Sequence, residues 1–138
     1  MIGEHVTAFQ ASVSRCLASS SFISDFYDRF TGTSEAIREK FEKTDFARQH
    51  QAMADSLYLM AVSVQGGPGN LARLDMKRLY AKHQGMDIRA SMYDVWLECL
   101  VETARVHDPE YTPAIEFAWR QCLAPGIAAM KSGAPYEG

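Results

Sequence analysis

Long apolar runs are missing from this 138-residue chain. Nothing approaches the ~18 consecutive apolar residues that a membrane-spanning helix needs, so no membrane partner is expected. An excess of positive charge is missing as well. The formal net charge is −3, and Lys and Arg are interleaved with acids, as at Arg38-Glu39-Lys40. Such a pattern is a solvated helical face and carries no electrostatic footprint for nucleic acid or an anionic surface. Cysteine is scarce: Cys16, Cys99 and Cys122 are odd in number and widely spaced, with no Cys-x-x-Cys pair. Each falls on the apolar face of a predicted helix, which favours buried reduced thiols over a disulfide framework. The segment Met1-Ile2-Gly3-Glu4-His5-Val6 lacks a basic region and an apolar signal core, so a cytoplasmic location is expected. Alternating strand patterns, internal repeats and low-complexity tracts are also absent.

What is present is helical periodicity. An apolar content of 47% with 22% charged residues suits one folded domain, expected over residues 1–131 with a frayed tail at 132–138. Val6, Phe9, Val13 and Leu17 share one face of a first helix, and Phe22, Ile23, Phe26, Tyr27 and Phe30 one face of a second. Thr33-Ser34 can cap a short third helix carrying Ile37 and Phe41. Thr44 is placed to cap a longer one whose buried face reads Phe46, Gln49, Met53, Leu57, Met60 and Val64. Gly66-Gly67-Pro68-Gly69 ends that helix, because glycine and proline continue one only at a cost. Asn70 can cap the next, which runs to about His83. From about Arg89 a further helix buries Met92, Val95, Trp96, Cys99, Leu100 and Val106, and Asp108-Pro109 breaks it. Thr112-Pro113 opens the last helix, with Ile115, Trp119, Cys122, Leu123 and Ile127 inward and Pro125 expected to bend or loosen it. The expectation is an all-α fold of about six to eight helices.

The linear order of certain side chains is informative. Phe26-Tyr27 lie in the second helix, Phe41 follows Tyr27 by fourteen residues, and Gln49 follows Phe41 by eight, with Met53 one turn on. Leu79 and His83 are four apart. Ile88 comes five after the histidine and Tyr93 five after that, and Ala118-Trp119 sits in the final helix. This ordered set, over about residues 20 to 130, resembles the bacterial globins, especially single-domain haemoglobins and the globin domains of flavohaemoglobins and haem-based sensors. The stretch Phe41-Glu-Lys-Thr-Asp-Phe-Ala-Arg-Gln49 is similar to the corresponding segment of truncated haemoglobins.

The resemblance implies a globin fold around a pocket for haem b, with O2, CO or NO as the gas ligand. His83 matches the proximal iron ligand, whose second ring nitrogen would donate to a carbonyl of its own helix. Leu79, Ile88 and Tyr93 match positions around it. The plain alternative for His83 is a core or surface histidine. His5, His50 and His107 lack that context and are expected to be exposed. Phe41 matches the ring stacked on the porphyrin, and also suits simple core packing. Tyr27 matches the distal tyrosine, whose phenol can donate to a bound gas or instead to a neighbouring carbonyl. Gln49 matches the distal-helix position. A shift of one residue would bring His50 there, and a shift of two Gln51. Gln49 is preferred because it sets Met53, rather than the carboxylate of Asp55, against the porphyrin.

Two departures from flavohaemoglobins matter. The glutamate that their last helix pairs with the proximal imidazole corresponds here to about Ala134, with Glu137 nearby. No flavin reductase or signalling output segment is expected in this chain, so NO dioxygenation would need an external reductase and sensing a signalling partner. Reversible O2 binding, as in oxygen transport, is the first functional expectation. A standalone gas sensor and NO detoxification follow. A haem-free globin-like interaction module is the rival of another class. Monomer and homodimer both remain open.

Overall fold

The computed structural model describes residues 4–63 and 88–132. Six α-helices occupy them: α1 Glu4–Ala18, α2 Phe22–Thr31, α3 Glu35–Lys40, α4 Phe46–Ser63, α5 Ala90–His107 and α6 Pro113–Ser132. No strand occurs among the described residues. No helix among them is long and apolar enough to cross a membrane. The expected helix through Leu79 and His83, the glycine-rich stop before it, and the tail from Gly133 lie outside the described residues.

Local chemistry sets the helix ends. Ser34 Oγ accepts the backbone N–H of Ile37 at 3.2 Å and so caps α3. For α4 the cap is Asp45 rather than Thr44. The Asp45 carbonyl takes the N–H of Gln49 at 2.9 Å, and its carboxylate faces the N–H of Arg48 at 3.4 Å. Thr44 is consumed one residue earlier, its N–H closing a turn onto Phe41 O at 3.1 Å. Thr112 Oγ1 accepts from Ile115 N at 3.2 Å, and Pro113 takes the first helical position, where a missing N–H leaves nothing unpaired. As expected of a helix that carries both Trp119 and Ile127, α6 runs on through Pro125. Pro125 and Gln121, one turn back, are both exposed, so the carbonyl that loses its donor can turn to water.

The helices pack pairwise, α1 on α6 and α4, α2 on α5, and α5 on α6. Phe9, Phe22, Phe26, Leu57, Leu100 and Trp119 are fully buried where they meet. Each such side chain contributes about 1.5–3 kcal/mol through burial. Phe9 meets Trp119 edge-on at 5.2 Å between ring centroids. The three cysteines are buried and free, as the helical faces suggested.

Two expectations in α5 are corrected. Val106 is 52% exposed, because the inward stripe runs through Leu100, Thr103 and Ala104 and continues to His107. His107 is accordingly half-buried rather than exposed. Its Nε2 lies 2.9 Å from Asp25 Oδ2 and its Nδ1 2.8 Å from Ser19 Oγ, tying α5 to α2 and to the end of α1.

Candidate functional site

Tyr27 is the centre of the site. It stands on the buried face of α2, 5% exposed, with Phe26 edge-on at 5.0 Å. Two further elements close on its ring. From the turn after α3, Phe41 approaches edge-on at 5.6 Å. From the first turn of α4, Phe46 approaches at 5.9 Å, and His50 stacks nearly parallel at 5.3 Å with an interplanar angle of 11°. Phe41 and Phe46 stack on each other at 6.1 Å. The short α3 sets this geometry: its Ser34 cap and the turn from Phe41 to Thr44 swing the chain back, so that α4 starts against α2.

One hydrogen bond organises the polar side. Gln49 Nε2 donates to Tyr27 Oη at 2.8 Å. Burial pushes the Tyr27 phenol above its ordinary range, while the amide donor pulls the other way without reversing the shift. The hydroxyl therefore stays protonated at neutral pH. Because its oxygen is already accepting from Gln49, its own proton is available to a third group.

Among the sequence-expected residues, the structure gathers Tyr27, Phe41 and Gln49 into contact. Met53, one turn beyond Gln49 in α4, is buried at 5% exposed. Ile88 and Tyr93 are half-buried around the start of α5. Leu79 and His83 lie outside the described residues. The three candidate residues of α4 have different surroundings. Gln49 bonds the phenol and His50 stacks on its ring, whereas Gln51 is exposed and donates to Asp55 Oδ1 at 2.9 Å.

His50, expected in solvent, is thus a half-buried neighbour of Tyr27. Phe46, expected in the core, is 38% exposed and forms an outer wall of the site. The signal that could have found both is spacing. Residues 46, 49, 50 and 53 follow the i, i+3, i+4, i+7 rule of a single helical stripe, which carries both Gln49 and His50.

A solved structure from Pseudomonas aeruginosa PAO1, of a protein described as structurally highly homologous to a human hemoglobin, matches this chain with a TM-score of 0.86 at 30% identity. The match covers 96% of this chain and 100% of that one. No curated protein gives a significant match. The family model for bacterial-like globins matches residues 18–124, a span that takes in α2 to α5, the aromatic cluster and most of α6. With pairwise-packed helices and a phenol–amide pair between α2 and α4, the chain belongs to the bacterial-like globin family.

Proposed function

We propose that this globin binds haem b non-covalently through His83 and takes O2, and also CO and NO, reversibly at the iron, with Tyr27 and Gln49 on the distal side. The observation that carries this reading is the Gln49-to-Tyr27 hydrogen bond at 2.8 Å. Burial keeps the phenol neutral, and the bond occupies its oxygen while leaving its proton unspent, which is the donor a partly negative gas ligand calls for. The described side chains suit the group: a flat apolar ring at Phe41, a buried thioether at Met53 and a neutral hydrogen-bonding pair, with no carboxylate among them. When bound, the haem supplies the iron that takes the gas.

The residues divide the remaining work. Phe41 and Met53 keep water from the pocket and offer a surface on which a porphyrin can pack. Gln49 orients the Tyr27 hydroxyl by donating to it, and Tyr27 in turn donates toward the ligand position. His83 would supply a neutral imidazole nitrogen, and the family resemblance assigns Leu79, Ile88 and Tyr93 to positions around it.

Visible spectra of the purified protein in ferric, ferrous and CO-bound forms test the reading. A stoichiometric Soret band that shifts on reduction and again with CO is the expected result. A protein that purifies colourless and takes up no added haem would instead be a haem-free interaction module.

A further inference from the structure

On the outer side of the α2–α4 contact lies a cavity of about 160 Å³, lined by Ser24, Tyr27, Asp28, Thr31, Phe46 and His50. Three of its polar side chains, Ser24, Asp28 and Thr31, face an occupant as acceptors. Ser24 Oγ already donates to Ser21 O at 3.2 Å, and Thr31 Oγ1 to Tyr27 O at 2.7 Å. Both hydroxyl protons are spent on backbone carbonyls of α2 and the residue preceding it, and only lone pairs remain for an occupant. The Asp28 carboxylate has no hydrogen-bond or ion-pair partner among the described residues. His50 makes ring contacts with Tyr27 and Phe46, and its nitrogens make no hydrogen bond among the described residues. A neutral imidazole adds one donor and one further acceptor. No Lys or Arg appears in the lining among the described residues.

We infer that this crevice is a binding site for a small organic cation, of the alkylammonium or guanidinium class. A ligand with several N–H groups and one positive charge meets the hydroxyl oxygens of Ser24 and Thr31, an unpaired carboxylate, and the aromatic side chains of Tyr27 and Phe46 in the wall. The volume admits roughly five waters' worth of ligand, enough for methylguanidinium and too little for a nucleotide. A bare metal ion is a poorer fit, since only Asp28 and His50 are strong ligands there, and no metal-binding group of three or more His, Cys, Asp or Glu occurs among the described residues. The site does not depend on iron being bound, but its occupant would touch the ring whose hydroxyl accepts from Gln49.

The test is an NMR titration of the ¹⁵N-labelled full-length protein with methylguanidinium chloride, against sodium chloride at equal ionic strength. Saturable shifts are expected at the amides of Ser24, Asp28, Thr31, Phe46 and His50. Asp28→Asn should weaken binding about threefold to fivefold, the worth of one exposed ion pair. Asp28 is exposed, so the variant should unfold at the same temperature as the parent, and the same melt checks this. Shifts that never saturate, that sodium chloride reproduces, or that Asp28→Asn leaves unweakened would overturn the assignment.

Discussion

The indole Nε1 of Trp119 donates to Ser12 Oγ at 2.8 Å, joining α6 to α1 inside the core. Ser12 passes the bond on to Asp108 Oδ2 at 2.6 Å, and Arg15 Nε donates to the other carboxylate oxygen, also at 2.6 Å. The backbone N–H of Glu110 completes the set at 2.9 Å. A tryptophan, a serine and a carboxylate that could not be buried alone are thus satisfied together. Ser12→Ala removes the middle of the chain and leaves the buried indole N–H without a partner. The expected loss is about 1–3 kcal/mol of unfolding free energy, read from urea denaturation midpoints. A midpoint equal to the parent's would mean that the indole finds another acceptor.

Acid should attack the same network. Burial opposes ionisation of Asp108, but the hydrogen bonds from Arg15, Ser12 and Glu110 together hold its carboxyl below the usual range. Asp25 behaves alike: burial is set against hydrogen bonds from His107 and Arg29, and its carboxyl also ends low. A carboxyl depressed in the folded state adds stability that is present above its unfolded value, about 4, and is lost as pH falls through the folded value. Thermal midpoints should therefore hold above about pH 5 and drop steeply below about pH 4. In Asp108→Asn the midpoint should be lower at neutral pH and the acid drop shallower. An unchanged acid slope would assign the pH dependence to other groups.

Replacing Tyr27 with Phe deletes the phenol and frees Gln49. A hydrogen bond worth about 0.5–1.5 kcal/mol corresponds to an O2 dissociation rate raised about threefold to tenfold. CO is less polar when bound and should respond less. Stopped-flow ligand replacement measures both, and equal changes for the two gases would mean that Tyr27 acts by bulk alone.

His83→Ala should purify with little haem and a weak Soret band, restored in part by added imidazole. A variant that retains the parent spectrum would show that a different side chain holds the iron.

Thiol chemistry offers a test of the core. Burial, reinforced by the Asp108 charge, pushes the Cys16 thiol up to about 12, and burial pushes Cys122 up to about 11. With so little thiolate at pH 8, neither should be alkylated by iodoacetamide in the folded protein, and both should react once guanidinium unfolds it. Peptide mass spectrometry after a short pulse separates the cases, and rapid alkylation of native Cys16 would mean that α1 opens readily from α6.

The sequence by itself determined the helical class, the helix order and the helix ends at Ser34, Arg89, Asp108-Pro109 and Thr112-Pro113. Apolar residues at 3.6-residue spacing and Ser, Asp, Thr or Pro at the turns act over a few neighbouring positions, and such local preferences are readable one residue at a time. It also identified Tyr27, Phe41 and Gln49 as a set, through their order along the chain. Tertiary structure decided what depends on the angle at which one helix meets another. Periodicity puts Phe46, Gln49, His50 and Met53 on one stripe of α4, but only the packing of α4 against α1 and α2 stacks His50 on Tyr27, buries Met53 and leaves Phe46 at the rim. His107 looked like a surface histidine for the same reason. Its partners, Asp25 and Ser19, are 82 and 88 positions away, and no window along the chain brings them together. Asp108 looked only like a helix stop before Pro109, and packing made it the buried acceptor for Ser12 and Arg15. Buried polar groups need partners wherever they lie, and those partners come from whichever helix the apolar faces have already brought close.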